Sequence, residues 1–154
     1  EFRRVLFRSG YKVIMTRESH DVNISNSERA IFANNNKADM VVRVHADSLN
    51  NPGKTGASIL IPAKESKYTT AIYEDSQNCA NLISSKMKEA GIKVNGVFER
   101  GDLTGFNWSQ VPVVLVEMGF LSNYTEDQMM SNPEYQTKLM QAISDGLDEY
   151  FANK

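Results

Sequence analysis

Short apolar runs alternate with longer amphipathic segments along most of the chain. The apolar runs are typical of β-strands and lie at residues 10–17, 38–47, 57–63 and 113–117. The amphipathic segments are typical of helices and lie at residues 25–37, 72–90 and 125–131 and from Pro133 almost to the end of the chain. Strands that alternate with helices predict an α/β fold with a mostly parallel sheet and helices on both faces.

Local signals mark several helix ends. Ser25 with Glu28 three residues later forms a capping box, which predicts the start of the first helix. Gly91 ends the long helix, and Pro133 opens the last helix directly after Asn132. The stretch at 94–110 is rich in Gly and Asn and predicts an irregular connection.

The first nine residues do not follow this alternation. Residues 1–9 carry three arginines in no helical or strand pattern, and the peptide resembles a translated short-read sequencing adapter. We therefore interpret residues 1–9 as a non-native leader and leave them out of the fold prediction. Residues 10–154 are predicted to form one domain, and native sequence is expected to precede Gly10.

Size, charge and cysteine content exclude several classes of protein. A chain of 154 residues can bury one sizeable core, and no apolar run approaches the roughly 20 residues of a membrane span. The formal charge of -2 and the lack of a basic stripe argue against nucleic acid as a partner. Cys79 is the single cysteine, which excludes a disulfide within the chain. His20 lies in a polar loop, where we expect it to be solvated.

Two polar side chains stand at the carboxyl ends of predicted strands. His45 ends the run at 38–47, and Glu117 ends the run at 113–117. Because ligands bind beyond the carboxyl ends of parallel strands, we expect imidazole and carboxylate to share one rim of the sheet. Taken alone, a histidine at this place is more often a hydrogen-bonded structural residue, and a glutamate is more often a helix cap or a salt-bridge partner. Their equivalent placement favours a functional site.

The segments around these two residues carry a family resemblance. The motifs "VHADS" and "VPVVLVEMGFLSN", in this order, resemble the zinc-dependent N-acetylmuramoyl-L-alanine amidases of the amidase-3 family, which cleave bacterial peptidoglycan. Residues 13–47 also resemble the family pattern of a strand ending in Thr-Arg, a helix that bears Arg, and a strand ending in His-Ala. The resemblance runs from about Gly10 to the end of the chain.

This resemblance implies roles for individual residues. His45 would be a zinc ligand and Glu117 the catalytic glutamate, which moves the proton of a zinc-activated water during hydrolysis of the amide between N-acetylmuramic acid and L-alanine. Arg100, within "ERGDL", would meet an anionic group of the substrate. The family's other two zinc ligands, with its first strand and helix, have no counterpart in the sequence. We therefore expect this chain not to retain Zn²⁺ and to be inactive on its own.

The resemblance further implies peptidoglycan as the partner and the cell wall, outside the cell, as the location. Two alternatives stay open. One is a non-catalytic domain of the same fold that binds peptidoglycan or regulates another protein, and replacement of Glu117 by Gln would separate it from an enzyme. The other is a different zinc peptidase, which the products of the reaction would reveal.

Overall fold

The computed structural model of the chain describes residues 2–19 and 21–154. Glu1, in the predicted leader, and His20, predicted to be solvated, lie outside the described residues. The helices of the described part are α1 (Phe2–Arg8), α2 (Asn26–Asn35), α3 (Tyr73–Glu89), α4 (Thr104–Asn107), α5 (Tyr124–Met130) and α6 (Pro133–Ala152). Its strands are β1 (Val41–Asp47), β2 (Ala57–Pro62), β3 (Val94–Arg100) and β4 (Val113–Phe120). Within these ranges, no helix combines the length and the apolar character needed to cross a membrane.

The four strands form one sheet in the order β1-β4-β2-β3. β1 runs parallel to β4, and β2 runs parallel to β3. The two pairs meet in an antiparallel pairing of β2 with β4, in which Leu60 lies opposite Leu115. The predicted α/β fold with a mostly parallel sheet is therefore confirmed, and the central antiparallel pairing is a feature that the sequence pattern did not reveal.

The main core lies between the sheet and the long helices α3 and α6. Val114 and Val116 of β4 point to this side, where they join one cluster with buried residues of both helices. The two helices approach closely at Gly146, because a Cβ added there would lie 2.6 Å from the Cα of Ile83. Since successive strand residues face opposite sides, Val113 and Leu115 pack on the other face, with Phe106 of α4. Helices thus flank the sheet, as predicted.

The capping signals read from the sequence are present. The side chain of Ser25 accepts a hydrogen bond from the backbone of Glu28, whose carboxylate in turn accepts one from the backbone of Ser25. Asn132 caps α6, with Pro133 in its first turn. Gly91 follows α3 with φ of +73°, a left-handed conformation that glycine adopts readily. These local contacts define helix ends without help from the rest of the fold.

Residues 2–8, which we left out of the fold prediction, form a packed helix. α1 contacts α6, and its adjacent residues Val5 and Leu6 are buried in the main core. The hydroxyl of Ser9 lies 3.1 Å from that of Ser144 in α6. Two adjacent apolar residues among arginines give no helical periodicity, so the helix is stabilised by tertiary contacts that the sequence pattern does not show.

Two further elements differ from the predictions. The strand predicted at 10–17 is absent: its residues pair with no described strand, and Tyr11 and Val13 instead pack against the core through their side chains. The prediction of an irregular connection at 94–110 is wrong, because these residues contain β3 and α4. β3 is an edge strand, where polar residues are tolerated, and the Asn95 amide donates 3.1 Å and 3.0 Å hydrogen bonds to the carbonyls of Thr55 and Gly56.

Candidate active site

β1 and β4 bring the imidazole and the carboxylate together. In the parallel register of the two strands, His45 lies directly beside Glu117. Laterally paired residues of neighbouring strands point to the same face of the sheet. Both side chains accordingly line one cavity of about 240 Å³. The structure thus places His45 and Glu117 side by side at one edge of the sheet, as we expected from the sequence.

The walls of this cavity combine apolar and charged side chains. Leu60 and Leu115 supply apolar surface, and the start of α4 closes one side with Thr104 and Gly105. Arg43 and Asp47 of β1 line the same space, because they share the strand face of His45. The cavity thus combines a few charged side chains with an apolar wall, as small-molecule binding sites commonly do.

Glu117 has the properties of a proton-transfer group. Burial raises its pKa to about 7, the negative charge of Asp47 adds to the rise, and the positive charge of Arg43 opposes it. Its Oε2 is buried and has no hydrogen-bond partner among the described residues. A carboxyl group that is half-ionised near neutral pH can both accept and donate a proton there.

The imidazole of His45 is held in its neutral form. Burial lowers its pKa, and the positive charges of Arg43, Arg29 and Arg17 lower it further. A neutral imidazole retains a nitrogen lone pair at neutral pH, which is the form that binds a metal ion or accepts a hydrogen bond. The charge environment of His45 therefore keeps it available as a ligand.

Arg100 reaches the same cavity, but its guanidinium is already paired. Its Nε and Nη2 donate to the two carboxylate oxygens of Asp102 at 2.8 Å and 2.7 Å. This hydrogen-bonded pair raises the pKa of Arg100. The two-pronged contact is the geometry in which arginine binds carboxylates most strongly. Asp102 thus occupies one edge of the group that we expected to meet an anion of the substrate.

Comparison with known proteins assigns the family. Residues 1–149 match the family described as N-acetylmuramoyl-L-alanine amidase. The chain belongs to this amidase family. It is 26% identical over 154 residues to a protein described as "Probable cell wall amidase LytH" of Staphylococcus epidermidis, with 99% of this chain aligned to 47% of that protein. The chain therefore spans about half the length of the curated relatives it matches.

Solved amidases have the same fold as this amidase-family chain. The N-acetylmuramyl-L-alanine amidase Ami1 of Mycobacterium smegmatis superposes with a TM-score of 0.89 at 26% identity, over 99% of this chain and 73% of Ami1. The CwlD amidase of Clostridioides difficile, solved in complex with the GerS lipoprotein, gives a TM-score of 0.85 at 25% identity, over 99% of this chain and 82% of CwlD. The mixed α/β fold of this chain is thus that of its amidase relatives.

The described residues do not form a complete site for the zinc ion that the resemblance implies. A catalytic zinc takes three protein ligands. The cavity contains one imidazole, of His45, and the carboxylates of Asp47 and Glu117. Residues 2–19 and 21–154 nevertheless contain no group of three His, Cys, Asp or Glu side chains placed to hold a metal ion. These residues therefore supply no complete ligand set for a metal-dependent step.

Glu126 is a second important carboxylate, which the sequence reading missed. Its Oε1 accepts a 2.6 Å hydrogen bond from the backbone of Gly56, and its Oε2 accepts a 2.7 Å bond from the backbone of Phe120. Asn123 caps α5 by accepting from the backbone of Glu126 at 3.0 Å. The spacing of Asn123 and Glu126 is that of a helix cap with an acidic N3 residue, a signal that could have identified Glu126. Together they hold the end of the strand that carries Glu117.

Proposed function

We propose that the protein hydrolyses the amide bond between N-acetylmuramic acid and the L-alanine of the peptidoglycan stem peptide. The observation that carries the proposal is the pairing of Glu117 with His45 at one cavity, with one Glu117 oxygen left without a partner. The family supports the bond type, because its members are N-acetylmuramoyl-L-alanine amidases. The name of the staphylococcal relatives supports the cell wall, outside the cell, as the place of action.

Glu117 is the proposed proton-transfer residue. As a carboxylate it takes a proton from the water that attacks the amide carbonyl. The tetrahedral intermediate then collapses with cleavage of the C–N bond, and the protonated Glu117 gives its proton to the leaving amine of L-alanine. A pKa of about 7 suits both halves of this cycle, since each protonation state is accessible near neutral pH.

His45 is the proposed zinc ligand of this chain. Zinc, when bound, supplies Lewis acidity toward the carbonyl and the water. One imidazole with two carboxylates that form no metal-binding group falls short of a catalytic zinc site. We accordingly propose that the 154-residue chain does not hold zinc stoichiometrically on its own and does not turn over substrate.

The function is tested on the natural protein with dye-labelled peptidoglycan. We expect release of soluble dye with new amino-terminal L-alanine, and a rate lower by about 10²- to 10⁴-fold in Glu117→Gln, since that side chain cannot take a proton. Glu65→Gln is the matched control, because Glu65 is exposed and lies outside the cavity. Unchanged hydrolysis in Glu117→Gln would contradict the proposed role.

The reaction products distinguish an amidase from a peptidoglycan-binding domain and from another zinc peptidase. An assay of the 154-residue chain tests whether it is active on its own. Binding without any release would favour a peptidoglycan-binding domain, and release of amino acids from peptide ends would favour another zinc peptidase. The 154-residue chain, assayed in parallel with its zinc content measured, is expected to carry less than one zinc per chain and to match the background rate. Stoichiometric zinc together with turnover would show that the chain is a complete enzyme.

A further inference from the structure

Arg43 is a charged residue in the cavity to which the mechanism gives no part. It lies on β1 two positions before His45, on the same strand face, and lines the cavity. Arg43 is only partly exposed to solvent, although arginine is among the residues that are least often buried without a partner. Its placement in the middle of a strand makes it part of the cavity floor.

The guanidinium of Arg43 is held in place from two sides. Its Nη2 donates a 2.6 Å hydrogen bond to the side-chain oxygen of Asn26, the first residue of α2. Gly105 of α4 lies against the other side, because a Cβ added there would collide with Nη1 of Arg43. The hydrogen bond and the close backbone contact restrict the group to one position.

The charge of Arg43 lacks a counterion within salt-bridge distance in the described part of the chain. Its one hydrogen-bond partner there, Asn26, is neutral. A partly buried cation without a paired anion is costly, and a ligand carboxylate would offset that cost.

Arg100 provides the contrast within the same cavity. Asp102 already binds its Nε and Nη2 edge in the two-pronged geometry. Arg43 instead keeps N–H donors that no described carboxylate engages. Arginine binds carboxylates through paired charge-assisted hydrogen bonds, so Arg43 has the free group that such recognition requires.

We propose that Arg43 binds a carboxylate of the stem peptide and thereby orients the substrate next to Glu117. This inference rests on the proposed function, since it takes peptidoglycan as the ligand. The chemical class that it assigns to the ligand is a peptide that bears a carboxylate. A peptide whose carboxylate is converted to a carboxamide keeps its shape but loses the charge that Arg43 recognises.

The test measures binding to the 154-residue chain, with a chelator present so that no metal contributes. The probes are a muramoyl dipeptide with D-glutamate as its second residue and the same compound with the glutamate carboxylates converted to carboxamides. We expect the carboxylate form to bind about tenfold more tightly, the usual order for a charge-assisted contact. Arg43→Gln should remove this preference and Arg43→Lys should retain part of it. Lys88→Gln, at an exposed residue of α3 outside the cavity, should leave it in place.

Equal affinity for the two probes, or binding of neither, would overturn the inference. So would a preference that survives Arg43→Gln or disappears in Lys88→Gln. Circular dichroism of each variant confirms that the fold is retained. A carboxylate preference that depends on Arg43, without amide hydrolysis by the natural protein, would refute the proposed function alone. Hydrolysis that depends on Glu117 without any carboxylate preference would refute this inference alone.

Discussion

Two glutamates on the same strand-and-helix unit have opposite surroundings. Glu126 of α5 accepts backbone hydrogen bonds through both carboxylate oxygens, from Gly56 and Phe120. Glu117 of β4 faces the cavity, and its buried Oε2 has no hydrogen-bond partner within residues 2–19 and 21–154. Both oxygens of the Glu126 carboxylate therefore have hydrogen-bond donors, whereas Oε2 of Glu117 has none among the described residues. Hydrogen bonding thus distinguishes these two glutamates, which residue type alone cannot do.

Gly119 lies between the two glutamates in the sequence, and its backbone packs against the Glu126 carboxylate. Its φ is +155°, and a Cβ added there would lie 2.9 Å from Oε2 of Glu126. The glycine therefore lets the Glu126 carboxylate approach the backbone at the end of β4. At this point the register of β1 and β4 shifts between His45 and Asp47. Glu126 thus stabilises the strand end from which Glu117 is presented.

The largest expected effect on stability is that of Glu126→Gln. A glutamine has one acceptor oxygen and one NH₂ group, so one of the two backbone N–H groups loses its acceptor and faces a donor. We expect a loss of about 2 to 3 kcal/mol in the free energy of unfolding, as for a charged hydrogen bond in a partly buried place. Urea denaturation at pH 7 measures this change.

Asp127→Asn is the matched control for that measurement. Asp127 is the next residue of α5 and has the same charge, but its carboxylate has no hydrogen-bond partner in the part of the chain that the structure describes. Only its favourable interaction with the helix N-terminus is lost, which is worth less than about 1 kcal/mol. Equal losses in the two variants would mean that Glu126 acts through its charge and not through its two hydrogen bonds.

Replacement of Glu117 by Gln is expected to raise the free energy of unfolding, whereas the same replacement of Glu126 lowers it. The pKa of Glu117 is raised from 4.5 to about 7 in the folded protein, so ionisation favours the unfolded state. Below pH 4.5 both states are protonated and no stability is lost. As pH rises from 4.5 to 7, the unfolded state ionises before the folded state, and the folded protein loses stability relative to it. Glu117→Gln avoids this loss and should be more stable than wild type by about 1 to 2 kcal/mol at pH 8, allowing for solvent screening of a half-exposed group.

The pH dependence itself is the control for Glu117→Gln. The stability difference from wild type should fall to near zero at pH 4, where the carboxyl group is neutral in both states. Urea denaturation of the two proteins at pH 4 and pH 8 gives both values. A variant that is less stable than wild type at pH 8 would show that Glu117 contributes to the fold as Glu126 does.

The sequence was most informative where structure depends on local contacts or on strand order. The capping box at Ser25, the N-cap at Asn132 and the apolar runs of β1, β2 and β4 could all be read directly. The shared location of His45 and Glu117 followed from the carboxyl ends of two parallel strands, without knowledge of which strands were neighbours.

The features that could not be predicted depend on contacts between distant parts of the chain. α1 is recognisable only through its packing on α6, and β3 only through its pairing with β2. Arg43 looks like an exposed residue of an alternating strand until Asn26 and Gly105 are placed beside it. The contrast between Glu117 and Glu126 likewise requires three dimensions, because hydrogen-bond saturation cannot be read from residue types.

The central claim is that burial leaves the Glu117 carboxyl group titrating near neutral pH. The most direct measurement is the pH titration of its side-chain ¹³C carboxyl signal in the folded chain, assigned by comparison with Glu117→Gln. The expected midpoint is about 7. A midpoint near the ordinary 4.5 of a solvated glutamate would contradict it, since the group would then be a simple surface carboxylate.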